Sequence, residues 1–401
     1  MEIRPILSAM LRNKTGAILV ALQIAITLAV VTNAVFIINQ RLEKIGRPSG
    51  MDTDNLIFVQ SFGYAPGYNH HNTVREDLEL LRAHPGVIAA SPINGIPLSG
   101  GGSATNYKVS ADQDAVEENG NYYEVDEHGL DALGVKLVAG RAFTPEIIKY
   151  ATGPTSEMVP EVIMTRAMAK KLFDTEDVVG KRVYDNLGQS ATIVGVIDQM
   201  LGAWVGWDKL PQVVFHPYVT EGPMVRYVVR IAPGQRARVM KEIETELSDS
   251  NRTRVISWVR AHDWYIERSY KPDTRMAVLL GSLIVLLVTM TALGIVGLAS
   301  FSVNARVKQI GTRRAVGARR IDILRYFMVE NWLLTTAGVV VGTILSFAFS
   351  YWLSNEFKLP KLSPLYVGAG VIAMWLIGQL AVLVPAQRAA SVPPAIATRT
   401  V

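Results

Sequence analysis

Residues 305–332 read ARVKQIGTRRAVGARRIDILRYFMVENW and lie between two long apolar runs. Seven of them are basic (Arg306, Lys308, Arg313, Arg314, Arg319, Arg320 and Arg325), against the acids Asp322 and Glu330. Short segments rich in Lys and Arg stay on the cytoplasmic side of a bilayer. If the flanking runs cross a membrane, this stretch sets the direction in which they cross.

Working outward, four segments are long and apolar enough to span: residues 16–38, 276–301, 332–353 and 365–384. A spanning helix needs roughly 20 such residues, and none of the four carries Lys, Arg, Asp or Glu in its interior. The first run is too long for a signal peptide and no small-x-small cleavage site follows it, so it is expected to remain as a span. Arg4, Arg12 and Lys14 precede it, and Arg388 and Arg399 follow the fourth. The connection NEFKLPKLS, with two lysines and one acid, votes weakly the other way. The expected layout has segments 1–15, 302–331 and 385–401 inside, a short outer loop at 354–364, and residues 39–275 outside.

The composition agrees with a chain that is part membrane and part folded domain: 401 residues, 49% apolar, net charge +5. There is no cysteine, which excludes disulfides, a thiol nucleophile and Cys-ligated metal. The basic residues gather at membrane flanks, so no nucleic-acid partner is implied. The chain has no GxxxxGK[ST], GxGxxG, HExxH or GxSxG, hence no visible nucleotide site or catalytic constellation, and no cofactor or metal is expected on it. The six histidines, His70, His71, His84, His128, His216 and His262, all fall in the outer region. The His70–His71 pair reads as a solvated loop, because a metal needs further ligands at suitable geometry. No acid lies inside a span to relay protons, and Glu330 is expected to pair with a nearby Arg. The chain is not expected to be an enzyme or to power transport by itself.

The outer region reads as mixed α and β. NLIFVQSF, VIAASPI, VVFHPYV, VRYVVRIAP and RVISWVR read as strands, with helices in TVREDLELLRAHPGV (Thr73 as N-cap, Glu76 three residues on) and GQRARVMKEIETELSDS. The two ends, 50–105 and 210–268, are expected to form one α+β lobe. An inserted lobe, 106–209, would hold the turn AGRAFTPE, the helix TRAMAKKLF and a hairpin of VGKRVYDN with SATIVGVI. The fold class is thus a membrane protein with four transmembrane α-helices and a large extracytoplasmic α+β domain.

Ala17, Ala21, Ala25 and Ala29 place a small residue at every fourth position of the first span, and Gly338, Gly342 and Ser346 do so in the third. Such rows allow close helix approach in lipid, either within one chain or across a dimer seam. Gln23 and Thr27 should face protein.

The basic loop has two readings. One is an anchor on anionic lipid heads. The other is a docking element, because Ile310, Gly311, Ala315, Val316, Gly317 and Ala318 are small or apolar among the arginines. Gly317 can break a helix, giving a short helix, a corner, and a second helix with Ile321, Leu324, Phe327 and Met328 on one face, lying at the interface.

At these residues the chain resembles the MacB/FtsX-type permeases of ABC transporters (the type VII ABC superfamily). Ile310-Gly311, Arg314-Ala315, Gly317-Ala318, Ile323, Phe327 and Glu330 match that family's loop, whereas Gln309 stands where Glu is usual and removes one charge. The ending PAQRAASVPPAIATR is similar in Pro385, Ala386, Ala389, Pro394, Ala397 and Arg399, with Thr398 where Leu is usual. GRAFTPE, MAKKLF, VGKRV and ATIVGVI look like the family's periplasmic core domain. The resemblance covers almost the whole chain. It implies a permease subunit of the bacterial inner membrane, paired with a second permease chain, identical or homologous. A cytoplasmic ABC ATPase dimer would bind ATP and Mg, and the loop Gln309, Ile310, Gly311, Arg313, Arg314, Ala315, Gly317, Ala318 and Arg319 would couple to it. It further implies mechanotransmission to the periplasmic domain and expulsion of a peptide, antibiotic or other amphiphile, with a membrane-fusion adaptor and an outer-membrane channel in MacB-like members. The family also contains FtsX-like regulators of cell-wall hydrolases, which transport nothing, and Lol-like permeases that extract lipoproteins.

Overall fold

The structure is a computed structural model describing residues 14–152, 159–357 and 360–393. The sequence signals at Arg4, Arg12, Pro394, Ala397, Thr398 and Arg399 lie outside the described residues. The chain divides into two compact units, residues 47–271 and residues 1–46 with 272–401.

The 47–271 unit is built on two sheets. Strands β1 (Leu56–Gly63), β2 (Val87–Pro92), β11 (Met224–Ile231) and β12 (Arg254–Ala261) form a four-stranded sheet in the order β12-β1-β11-β2, with antiparallel neighbours. Over Leu56–Val59, β1 is apolar on both faces because both are covered. Ile57 and Val59 pack with Leu78 and Leu81 of helix α2 (His70–Ala83) and with Ile243 and Leu247 of helix α5 (Arg236–Ser250). Leu56 and Phe58, pointing the other way along the same strand, pack with Tyr123, Val213 and Phe215 of the second sheet.

The second sheet has eight strands. Its continuous path is β4-β3-β8-β9-β7-β10-β6, with β5 (Leu137–Gly140) paired to β9. The members of that path are β3 (Ser103–Lys108), β4 (Glu117–Val125), β6 (Lys149–Thr152), β7 (Glu161–Thr165), β8 (Arg182–Tyr184), β9 (Ser190–Ile197) and β10 (Val213–Glu221). Helix α4 (Arg166–Phe173) packs against this sheet, whereas the short helix α3 (Gly129–Leu133) lies against β2 and β11 of the four-stranded one.

The boundaries at 105/106 and 209/210 need correction. VVFHPYV, expected in the outer lobe with the flanking strands, is β10, which pairs with β4 and β6 in parallel and β7 antiparallel. It is apolar on both faces because it lies inside the larger sheet, and local alternation cannot say which sheet receives it. The first helix also starts earlier than expected. Asn69, not Thr73, caps it, its side-chain oxygen accepting from the Asn72 amide at 3.0 Å. His70 and His71 therefore open a helix and do not lie in a solvated loop, and His71 Nδ1 sits 2.5 Å from Glu221 Oε1.

The second unit consists of helices α1 (Lys14–Ile45), α6 (His262–Ala305, from Pro272 on), α7 (Val307–Ala315), α8 (Arg320–Phe357) and α9 (Pro364–Ala390). Four of them, α1, α6, α8 and α9, are long and apolar enough to cross a membrane. Val20, Ile24, Leu28, Leu334, Val339, Met374 and Val382 form their shared core. α6 packs more loosely, leaving Val278, Val285 and Leu293 about two-thirds exposed.

One ion pair is fully buried in the 47–271 unit. Asp77 accepts from Arg254 Nη1 and, at 2.7 Å, from the Tyr227 hydroxyl, while Arg254 Nη2 donates to the Leu247 carbonyl at 2.8 Å. Burial pushes the Asp77 carboxyl up, and the Arg254 guanidinium opposes that rise. Removing one partner strands a buried charge. Arg254→Ala is expected to lower unfolding free energy by about 3–5 kcal/mol in chemical denaturation. A second effect follows from His216, whose ring stacks on Tyr122 and whose Nε2 lies 2.9 Å from the Tyr107 hydroxyl. Burial holds this imidazole down to about 4, against 6.5 unperturbed. Between those values the unfolded chain binds more protons than the folded one, so this stability is complete above about pH 6.5 and is lost as pH falls toward about 4. Thermal unfolding at pH 7 and pH 5 should show a larger drop for the native chain than for His216→Gln.

Candidate coupling site

The basic stretch forms a short helix, a corner and the start of a long helix, all within one unit. α7 ends in a Schellman motif: Ala318 N donates to Arg313 O at 3.0 Å and Gly317 N to Arg314 O at 3.2 Å. This geometry needs a left-handed residue, and Gly317 has φ +103°. Five residues on, Asp322 reaches back to accept from the Arg319 amide at 3.0 Å, one half of a capping box that starts α8. The end of α7 is thus closed by its own turn, and at the start of α8 Asp322 holds the Arg319 amide.

The seven cations divide by task. Arg306 is turned inward and forms a two-pronged pair with Glu330, Nη1–Oε2 at 2.9 Å and Nη2–Oε1 at 3.1 Å, with Nη1 also 3.2 Å from the Tyr326 hydroxyl. Arg314 Nη1 donates to the Ala390 carbonyl at 2.6 Å, tying α7 to the last turn of α9. Lys308, Arg313, Arg319, Arg320 and Arg325 are exposed, with the Arg313 guanidinium lying 5.1 Å from the Tyr326 ring centre. Ile310 and Gly311 are buried, Ile310 among Val303, Ile323, Phe327, Ala386 and Ala389. Gln309 and Ala315 are exposed and Ala318 half-buried. Gln309 borders a small hollow with Arg306, Arg313 and Tyr326.

Two expectations change here. The segment from Arg320 is not a separate interfacial helix, because α8 runs unbroken from it into the third span. Its inward face is Ile323 and Phe327, while Ile321 is 44% exposed. The end of α9 and α7 select that face. Sequence reading also passed over Val316 as a site residue. It is 85% exposed at the corner, an apolar side chain in a stretch of sequence rich in arginine. Its signal was its place beside the helix-breaking glycine.

The small-residue rows meet each other. A Cβ at Gly338 would lie 2.7 Å from Ala21 O and 2.8 Å from Ile24 Cβ, and one at Gly342 would lie 3.0 Å from Ala25 Cα and O. Ala25 and Ala29 are buried, and Ala17 and Ala21 half-buried. Thr32 Oγ1 donates to Ser346 Oγ at 3.1 Å and Asn33 Nδ2 to Ser346 O at 3.1 Å. Thr27 and Thr291 share a hydroxyl contact of 2.8 Å, and Gln23 faces Gly294.

Two family models match the chain. The MacB-like periplasmic core domain covers residues 17–246, and the FtsX-like permease C-terminal region covers residues 281–394. Among similar proteins, the macrolide export ATP-binding/permease protein MacB of Neisseria gonorrhoeae is 26% identical over 96% of this chain and 58% of its own length. The MacB of Aggregatibacter actinomycetemcomitans is 25% identical over 84% of this chain and 51% of its own length. The chain thus spans about half the length of the curated relatives it matches. Among solved structures, the periplasmic region of MacB from Actinobacillus actinomycetemcomitans aligns at 17% identity and TM-score 0.34, covering 55% of this chain and 94% of that one. The extracellular domain of the noncanonic ABC-type transporter YknZ aligns at 15% identity and TM-score 0.32, covering 50% and 98%.

The closeness of α1 and α8 yields a direct test. Gly338→Val should destabilise the helical unit by about 1–3 kcal/mol or more through overpacking, read as a lower unfolding midpoint in detergent. Gly281→Val is the control, since no atom lies within 4 Å of a Cβ there.

Proposed function

Because this chain belongs to the MacB/FtsX-type permease family, we propose that it is the membrane subunit of an ABC-type exporter. A separate cytoplasmic ATPase dimer, binding ATP and Mg, docks on residues 302–331. The second permease chain is identical or homologous. Both termini are cytoplasmic, residues 39–275 are periplasmic, and the membrane is the bacterial inner membrane. The domain outside the membrane moves with the ATPase cycle and expels a peptide, antibiotic or other amphiphile, handing it to a membrane-fusion adaptor and an outer-membrane channel.

The observation that carries this reading is the division of labour in the loop. Anchoring to lipid heads requires only loose positive charge. Here Arg306 and Arg314 fix the helices and a Schellman turn closes α7, so an exposed Val316 and five outward cations are held on a stiff tip. A stiff tip with an apolar centre and a charged rim suits a protein groove. Coupling then requires that the closed ATPase dimer contact one arrangement of the helices better than the other.

Arg313 and Arg319 are exposed, and among the described residues their side chains make no hydrogen bond or ion pair, Arg313 resting only on the Tyr326 ring, whereas Arg314 ties α7 to α9. The double change Arg313→Glu with Arg319→Glu should therefore leave the chain folded and inserted while reducing ATP hydrolysis that co-purifies with it by at least about tenfold, the loss of a modest 1.4 kcal/mol of contact. Undiminished co-purifying ATPase activity in that variant would return the loop to the role of lipid anchor.

A further inference from the structure

The 47–271 unit contains a cleft of about 790 Å³, lined among others by Gly101, Arg226, Trp258, Arg260, Trp264 and Arg268. Its three arginines lack an acidic partner: among the described residues no ion pair is formed by Arg226, Arg260 or Arg268 with Asp or Glu. Arg226 is held by neutral acceptors, Nε to Gln60 Oε1 at 3.1 Å and Nη1 to the Asn94 carbonyl at 2.8 Å. Burial pulls its pKa down, with no carboxylate opposing it. Arg260 and Arg268 lie over the same indole, 4.3 Å and 5.3 Å from the Trp264 ring centre, and Arg260 also lies 5.4 Å from that of Trp258. Two like charges share one ring, and the field of a third, together with that of Arg260, reaches the Tyr265 hydroxyl beside them.

The wall opposite the arginines is preorganised and open. The segment 96–102 is fastened from behind: Leu98 N donates to Gly202 O and Gly100 N to Ala203 O, both at 2.9 Å, and Ser99 Oγ donates to Ile96 O at 2.7 Å. Leu98 is buried and held at φ 56°, a left-handed conformation that a leucine adopts only when its surroundings impose it. A Cβ at Gly101 would meet no atom within 4 Å, so backbone is presented to the cleft without a side chain in front of it.

Unpaired guanidiniums match the planar, forked geometry of phosphate oxygens, and indole faces accept a flat or apolar body. The volume is that of a small organic ligand, not of a lone ion. We propose that this cleft binds an organic phosphate, its anionic group held by Arg226, Arg260 and Arg268 and its body laid on Trp258 and Trp264. Two sources carry that chemistry, a phospholipid headgroup and a soluble phosphoester. A cationic amphiphile is repelled from the same place. The inference does not depend on the export reading and would stand if the chain transported nothing.

The test uses the full chain in phosphatidylcholine nanodiscs, titrated with phenyl phosphate while tryptophan fluorescence is followed. Saturable binding is expected, with benzyltrimethylammonium giving none. Arg268→Gln, at an exposed position, and the double variant Arg260→Gln with Arg268→Gln should weaken binding, the double by at least about tenfold, with unfolding midpoints reported for each. Equal binding to native and variant chains, or equal binding of the ammonium, would overturn the proposal. Repeating the titration in discs containing phosphatidylglycerol separates the sources. With the arginine dependence intact, a curve moved to higher phenyl phosphate supports the lipid headgroup, and an unmoved curve supports a soluble phosphoester.

Discussion

The pair between Arg306 and Glu330 is the constraint on which the membrane unit's basic corner depends. It joins the residue just after α6 to a residue one-quarter of the way along α8, and both side chains are largely withdrawn from solvent. The geometry is two-pronged, which fixes orientation as well as distance. A half-pair left in that setting would strand a poorly solvated charge. α7 is therefore not free to swing on its connections. With Arg314 fastened to α9 and the Schellman turn closing the corner, displacement of the tip must be passed to three helices together. A loop meant only to attract lipid heads has no need of that stiffness.

The same frame accounts for Gln309. Its side chain borders the hollow that holds Arg306 and Arg313. Arg306 is already committed to Glu330, and Arg313 lies against Tyr326. A glutamate at 309 would stand beside both and compete for them. A neutral glutamine leaves the inward pair undisturbed and keeps the outer surface more positive. In this chain glutamine at 309 is compatible with the frame, and the exposed side of the corner carries one negative charge fewer than it would with glutamate.

The fold class was legible in the sequence because charge-free apolar runs of spanning length have few alternatives in a folded protein. The corner was legible because glycine, lacking a Cβ, takes up at little cost the left-handed conformation that ends a helix. What could not be read was which partner each buried face meets. VVFHPYV carries apolar residues on both faces, so its pattern assigns it to a covered strand but not to one sheet or the other. Ile321 and Ile323 differ by two residues on a helix, and only the packing of Ala386 and Ala389 selects the second. Thr73 had the right chemistry for a cap, yet Asn69 does the work four residues earlier, because a cap is decided by where the chain enters the helix and not by residue type alone.

The arginine cleft was hidden for a related reason. Arg226, Arg260 and Arg268 are separated by up to 42 positions, and each alone looks like the polar side of a strand or helix. Alternating polar residues on an antiparallel strand ordinarily face water, where positive charge costs little. Here antiparallel strands β12-β1-β11 bring Arg226, Gln60 and Trp258 alongside one another, since Gln60 is the register partner of both. The face that periodicity assigns to solvent thus becomes one wall of a concave site. Three cations gathered there, oriented by neutral groups and laid on indoles, remain electrostatically unfinished. That imbalance restricts what can settle in the cleft more tightly than its size does, because many molecules fit 790 Å³ and only anions relieve the repulsion.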